Sequence, residues 1–410
     1  MSKIVNTDVL VIGAGPSGAI ASSYLNKQGF DVLVVEKMTF PRFVIGESLL
    51  PRCMDHLEEV GMLEDIEKAG FQRKVGAKFT LNDEICDFLF SEQYTKGYTY
   101  TYQVQREKFD KLLIELAQKQ GVNVSFEHSV ENIDYSEKIK KTFLKDENGN
   151  DYTVHSKFVI DASGYGRVLP RLLDLSQPST FEPRTAIYSR LKSNFRNKNQ
   201  EIDKIIIDTL DEERTWMWMI PFSDGTISVG TVGKSKELLE CAENPKDLFP
   251  GLISKSKKFN EVFEKTEFII EPNAIKGFSI GIKKMYGDGY VLCGNSTEFL
   301  DPVFSSGVTF AMESGMKAAK LAAKELNNEN VDWETEYSEY MKRGINVFRA
   351  YVNGWYDGTL HTIFFTDEIR QDIKDKICSV LAGYVWDETN PLVQKPVKVL
   401  GNLAKVIKMG

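Results

Sequence analysis

The segment Gly13-Ala14-Gly15-Pro16-Ser17-Gly18 is a G-x-G-x-x-G turn set between an apolar run, Asp8–Ile12, and a run of small residues ending at Gln28 and Gly29. An apolar run that short suits a buried parallel strand. The small residues suit a helix closed by Gly29. Each glycine of the turn then has its own duty: Gly13 permits the tight turn, Gly15 lets the backbone approach a pyrophosphate, and Gly18 lets helix and strand pack closely. The N-terminus of the helix that follows offers unpaired N–H groups to phosphate. Asp31–Glu36 supplies a second strand, and Glu36 at its end can accept hydrogen bonds from an adenosine ribose. The pattern commits this part of the chain to a βαβ unit, but it serves NAD and FAD alike.

The chain of 410 residues is too long for one core. Arg106–Gln120 reads as a helix with Phe109, Leu112, Leu113 and Leu116 on one face, stopped by Gly121. Strands are expected at 122–126, 152–155 and 157–161. Residues 136–150 suit a hairpin turning at Asn148-Gly149. From 173 to 285 alternating strands predict a separate antiparallel sheet, with a polar surface loop at 192–204. A strand at 289–293 and a helix at 307–326 restore the βα pattern, and the chain beyond 331 reads as helical and rich in aromatics. The expected fold is α/β: a Rossmann-like three-layer domain from residues 1–78, 104–172 and 286–330, an inserted antiparallel β-sheet substrate domain from 79–103 and 173–285, and a C-terminal helical portion, 331–410.

Composition narrows the function classes. Lys plus Arg is 51 against 59 for Asp plus Glu, a net charge of −8. This argues against a nucleic-acid binder, which carries a basic face. Cys53, Cys86, Cys241, Cys293 and Cys378 form no CxxC pair and read as reduced thiols of a cytoplasmic protein. His56, His128, His155 and His361 lie far apart, so no metal site is expected. The first strand begins too early for a signal peptide, and no apolar run reaches the roughly 18 residues of a membrane span.

Three further segments point to FAD by resemblance to the p-hydroxybenzoate-hydroxylase-like oxidoreductases. Gln105-Arg106-x-x-Phe109-Asp110-x-x-Leu113 resembles their helix whose Arg lies near the flavin; taken alone, Arg106 reads equally as a surface helix residue. Asp161-Ala162-Ser163-Gly164 is similar to their second strand-end motif. Gly294-Asn295-Ser296 stands where they carry Gly-Asp-Ala, so Asn295 can hydrogen-bond but lacks the charge.

Within that group, residues 8–325 resemble the flavin-dependent halogenases, on four segments. Phe40-Pro41-Arg42-x-x-x-Gly46-Glu47-Ser48-x-x-Pro51 is similar to their strap along the flavin, although Ser48 and Pro51 also read as an ordinary helix start. Trp216-Met217-Trp218-Met219-Ile220-Pro221 matches their W-x-W-x-I-P signature. On a strand its tryptophans share one face, and a core tryptophan pair is the plainer alternative. Phe299-x-x-Pro302-x-x-Ser305-x-Gly307 runs into a helix. Ser306 and Gly307 there would present N–H groups at a helix N-terminus, which suits an anion, the cofactor's own phosphate or a helix cap. Arg73-Lys74-Val75-Gly76-Ala77-Lys78-Phe79 resembles the segment with their essential lysine. Lys74 falls on that position, and Lys78 competes for it.

The resemblance implies cofactor contacts from Gly13, Gly15, Pro16, Ser17, Gly18, Glu36, Lys37, Arg42, Glu47, Ser48, Arg106, Asp161, Gly164, Asn295, Pro302, Gly307 and Val308. It implies a halide at Ser306 and Gly307, a shield of Trp216, Trp218 and Pro221, and Lys74 as the catalytic side chain. Reduced FAD from a separate flavin reductase, oxygen, and chloride or bromide would yield hypohalous acid, which Lys74 would direct to an electron-rich phenol or pyrrole. That aromatic would be free or borne by an acyl or peptidyl carrier protein: Phe304 stands where tryptophan-specific halogenases carry a glutamate. The alternatives are an FAD-dependent aromatic hydroxylase, a geranylgeranyl-reductase-like enzyme, or a non-catalytic flavin-binding accessory subunit. At the C-terminus, Phe348, Tyr351, Trp355, Tyr356, Phe364 and Phe365 read as an aromatic pocket or as core. Lys395, Lys398, Lys405 and Lys408 with Val393, Val397, Leu400, Ala404 and Ile407 read as a basic amphipathic helix, solvated or docking an acidic carrier or a membrane surface.

Overall fold

The N-terminal strand runs from Lys3 to Ile12 and is buried where it approaches the glycine turn. It lies parallel between Val32–Glu36 and Asp151–Asp161. Asn123–Phe126 extends the sheet on one side, and Tyr290–Leu292 and Tyr286–Gly287 extend it on the other. The computed structural model describes residues 3–192, 201–263, 267–366 and 369–409. Most of the polar loop expected at 192–204 therefore lies outside the described residues. The strands expected at 152–155 and 157–161 are one, and Asn148 and Gly149 do form the turn that pairs Lys140–Lys145 with Asp151–Ser156.

The glycine helix, Pro16–Lys27, packs against the helices Gly307–Leu326 and Arg106–Lys119. Its small residues allow a close crossing: a Cβ on Gly315 would stand 2.5 Å from the Ser17 carbonyl oxygen.

The second sheet runs in the order Glu267–Lys276, Arg184–Lys192, Thr226–Lys234, Trp216–Pro221, Lys204–Thr209, Gly76–Leu81 and Glu84–Leu89. Among the described residues it is antiparallel except where Lys204–Thr209 meets Gly76–Leu81. That strand arrives from a distant part of the chain instead of through a hairpin, so nothing forces it to reverse. A division between 78 and 79 cuts through it. The alternation expected up to 285 is also interrupted, because Leu239–Glu243, Pro245–Ile253 and Asn260–Phe263 are helical. Phe249, Leu252 and Ile253 recur at helical spacing and cover Met217 and Met219 on the outer face of the sheet.

Beyond residue 331 the chain is helical, including Tyr340–Asp357, Thr359–Phe364, Gln371–Leu381 and Pro396–Met409. Phe348, Tyr351, Trp355 and Phe364 are core residues, and Tyr356 and Phe365 are half-buried against them. The last helix buries Leu400 and Ala404, whereas Val397, expected on the same face, is exposed. Among the described residues no helix is long and apolar enough to cross a membrane.

A buried ionic cluster fastens Arg52–Glu59 to Gly307–Leu326. Glu313 takes hydrogen bonds from His56 Nε2 at 2.9 Å, Arg52 Nε at 2.9 Å and Tyr340 Oη at 2.6 Å. Burial pushes its carboxyl up, but His56 and Arg52 outweigh this and hold it well below the usual glutamate range. A depressed carboxylate contributes stability that is complete above the usual range and is lost progressively as the pH falls below it toward the depressed folded-state value. Replacing Glu313 by leucine takes the carboxylate from the Arg52 guanidinium and the acceptor from His56 and Tyr340, and should cost about 3–5 kcal/mol, measured by urea unfolding at neutral pH. The acid limb of the wild-type stability curve should flatten in the variant.

Candidate active site

A cavity of about 680 Å³ runs between the two sheets. At one end its wall is Gly13, Gly15, Pro16 and Ser17 with Glu36 and Lys37. At the other end stand Trp216, Trp218, Pro302, Ser305 and Gly307. Arg42, Glu47, Ser48, Arg106, Gly164, Asn295 and Val308 complete the residues anticipated there.

The glycine turn fits a pyrophosphate. Gly13 has φ +101°, and a Cβ there would stand 2.6 Å from the Ala162 carbonyl oxygen. Gly18 lies outside the cavity wall and serves packing, since its Cβ would meet the Gly13 carbonyl oxygen at 1.9 Å. Gly15 differs, because a Cβ would meet nothing closer than an Arg42 guanidinium nitrogen at 3.4 Å. The protein leaves that space open for a ligand. Glu36 accepts from the Ala14 N–H at 2.9 Å and the Met38 N–H at 3.0 Å, which fixes the carboxylate and leaves lone pairs for ribose hydroxyls. The Ser48 hydroxyl, buried in the wall, has no hydrogen-bond partner among the described residues. Cradle, fixed carboxylate and orphan hydroxyl suit FAD.

The strap 40–51 is held from behind. Arg106 forms a paired contact with Asp110 at 2.7 and 2.9 Å and donates to the carbonyls of Ile45 and Gly46 at 3.1 and 3.2 Å. Glu47 is buried, which raises its carboxyl; Arg190 lies at 2.8 Å and partly offsets this. Ser48 does not cap a helix. It bridges to Gln103, and the helix Arg52–Glu59 starts after Pro51.

Trp216, Trp218 and Ile220 face the cavity, and their strand partner Lys204–Thr209 adds Ile205 and Ile207. Gly230 opposite Trp218 makes room for the indole: a Cβ there would fall 2.2 Å from the ring. Pro221 takes the other face and does not reach the cavity. Asp161 also stays outside it. Its carboxylate accepts from Ser163 N, Leu169 N and Ser296 Oγ, and so shapes the turn carrying Gly164.

Asp301, Pro302 and Phe304 form a short turn, and Ser305 at φ +56° reverses the chain before the helix Gly307–Leu326. Ser305, Gly307 and Val308 line the cavity, whereas Ser306 is buried behind them.

Lys74 and Lys78 separate clearly. Lys78 pairs with Glu201 at 2.5 Å. Lys74 is 1 % exposed, lies outside the cavity wall, and has no carboxylate partner among the described residues. Its ammonium donates to the Leu49 carbonyl at 2.8 Å and sits 5.5 Å from the Phe90 ring. Burial pulls it down to about 7. Leu49 follows Ser48, so the lysine stands directly behind the strap.

The sequence did not single out His128, Ser129, Val130 and Glu131, which line the nucleotide end. They arrive through the pairing of Asn123–Phe126 with Val32–Glu36 and carry no motif of their own.

The FAD binding domain family matches residues 6–226. A 1H-pyrrole-2-carbonyl-[peptidyl-carrier protein] brominase of Pseudoalteromonas luteoviolacea is 30% identical, over 94% of this chain and 94% of its own. A chlorinase described for the same carrier-borne group, from Pseudomonas fluorescens, is 29% identical over 98% of this chain and 93% of its own. The crystal structure of a flavoprotein/dehydrogenase from Cytophaga hutchinsonii superposes with a TM-score of 0.96 at 49% identity, covering 99% of each chain.

Proposed function

Since this chain belongs to the FAD binding domain family and, within it, to the flavin-dependent halogenases, we propose that it halogenates an electron-rich pyrrole or phenol borne by a carrier protein, with Lys74 as the group that delivers the halogen. Reduced FAD, oxygen, halide and a proton supply oxidised FAD, water and hypohalous acid. The observation that carries the reading is a buried lysine, without a carboxylate partner among the described residues, behind a strap whose other side faces the cavity.

The residues divide the work. Gly13 to Ser17 and Glu36 hold the nucleotide, and Arg106 keeps the strap seated. The backbone N–H groups of Ser306 and Gly307 suit a halide, because a helix N-terminus favours an anion without needing a charged side chain. The tryptophan wall keeps the aromatic substrate off the flavin, so the oxidant leaves the flavin before it meets the ring. Lys74 has two N–H groups beyond the one bound to Leu49, and these can hold a hypohalous acid oxygen. The relatives' carrier-borne pyrrole supports the substrate class.

The experiment incubates FAD-loaded protein with a flavin reductase, NADH, bromide and a pyrrolyl carrier protein, and reads the mass of the carrier. Addition of bromine supports the reading, and oxygenation in its place overturns it in favour of a hydroxylase. A second prediction concerns the reductant. No further glycine fingerprint offers a site for NADH or NADPH, so stopped-flow mixing of the FAD-loaded protein with either should leave the flavin oxidised until a reductase is added. Fast direct reduction would contradict this.

A further inference from the structure

A buried hydrogen-bond chain ties the C-terminal helices to both sides of the cavity's inner end. The indole Nε1 of Trp216 donates to the Tyr356 hydroxyl at 2.9 Å, and that hydroxyl donates to Asp301 Oδ2 at 2.9 Å. The other Asp301 oxygen accepts from the Val303 N–H at 3.0 Å. Polarity is fixed: an indole N–H only donates and an ionised carboxylate only accepts, so the phenol must accept from one and donate to the other. Arg184 lies over the Tyr356 ring, 3.3 Å from its centroid. Trp216 and Asp301 are 1 % and 4 % exposed, so water does not substitute for the phenol. Tyr356 itself does not line the cavity, whereas Trp216, Pro302 and Ser305 do.

We infer that Tyr356 is a positioning residue that sets the tryptophan wall against the Asp301–Ser305 turn, and thereby fixes the gap through which oxidised halogen leaves the flavin side. The inference rests on the halogenase reading of this site. Phenylalanine at 356 keeps the ring but breaks both bonds, leaving a buried indole N–H and a buried carboxylate oxygen unpaired. Such groups are costly to leave unmet, so wall and turn move apart.

Protonation of Asp301 should do part of the same. Burial raises its carboxyl to about 6, against the Val303 N–H, the Tyr356 hydroxyl and the Arg184 charge, which lower it. Below that pH one Asp301 oxygen carries a proton, so the carboxyl no longer accepts freely at both of the oxygens that Val303 and Tyr356 use.

The test uses FAD-loaded protein, flavin reductase, bromide and resorcinol as probe. Tyr356→Phe should bind FAD and consume oxygen like the wild type, while brominated resorcinol per oxygen consumed falls several-fold. The wild-type yield should drop on the acid side of about pH 6, and this step should vanish in Asp301→Asn. Asp301→Asn combined with Tyr356→Phe should lose little more than either alone, since they break one chain. A readout independent of product is the near-ultraviolet dichroism that Trp216→Phe removes. It should shift in Tyr356→Phe and titrate near pH 6 in the wild type alone. Unchanged yield and unchanged dichroism in a folded Tyr356→Phe protein overturn the inference; if that variant does not fold, an unchanged yield and dichroism in Asp301→Asn do so. Dichroism that behaves as described in a wild type unable to brominate keeps the positioning role and removes the halogenase reading.

Discussion

Gly15→Val should give a folded protein that no longer retains FAD. The three glycines of the turn differ in what depends on them. Gly13 and Gly18 are required by the chain itself, because a Cβ at either would enter backbone atoms at 2.6 and 1.9 Å. Gly15 has φ −74° and ψ −173°, which any residue adopts, and its Cβ would meet only the mobile end of Arg42 at 3.4 Å. Its missing side chain therefore serves the ligand: a branched side chain occupies the space through which the backbone approaches the pyrophosphate. The affinity for FAD should fall by at least about 100-fold, roughly 2.7 kcal/mol, while far-ultraviolet dichroism and the melting temperature of the ligand-free protein stay near wild type. Gly18→Val should fail to fold. Equal FAD affinity in folded Gly15→Val would show that the pyrophosphate lies elsewhere.

What could be read from the sequence was what neighbours in the chain decide. The glycine turn, its helix and the strand ending at Glu36 form one continuous local pattern, and the structure keeps every part of it. The alternation in Trp216–Pro221 likewise gave the two faces of a strand, though it should also have excluded Pro221 from the tryptophan face. The rest depends on distant partners. Lys74 and Lys78 are four residues apart, and only the folded arrangement shows that Glu201 pairs with Lys78 while the Leu49 carbonyl receives Lys74. Asp161 lies beside the cavity motif, yet its oxygens turn to Ser163, Leu169 and Ser296. The helices between 239 and 263 were missed because their apolar residues cover the Met217 and Met219 face of a sheet formed elsewhere in the chain.

Lys74→Met should separate the two halves of the proposed reaction. An amine buried without a carboxylate partner does not help the protein fold. Because burial lowers it to about 7, the folded state gives up this proton before the unfolded state does. Its contribution is therefore unfavourable at and below neutral pH, and the penalty fades as the pH climbs toward the ordinary lysine range. Methionine fills similar volume without charge, so the variant's melting temperature at pH 7 should equal or exceed the wild-type value. FAD binding should persist, because Lys74 is outside the cavity wall. Oxygen consumption should also continue, since the glycine turn and the Ser305–Gly307 backbone are untouched. Halogenated product should fall by at least about 100-fold, the pattern expected when a group acts only after the oxidant has formed. Hypohalous acid should then escape, and a thiol or amine scavenger in the medium should capture it. The wild-type yield per oxygen consumed should itself vary with pH around 7 as the Lys74 amine titrates, and oxygen consumption should not follow that profile. Undiminished halogenation by folded Lys74→Met would remove the lysine from the mechanism, and loss of oxygen consumption together with product would move its role to the flavin.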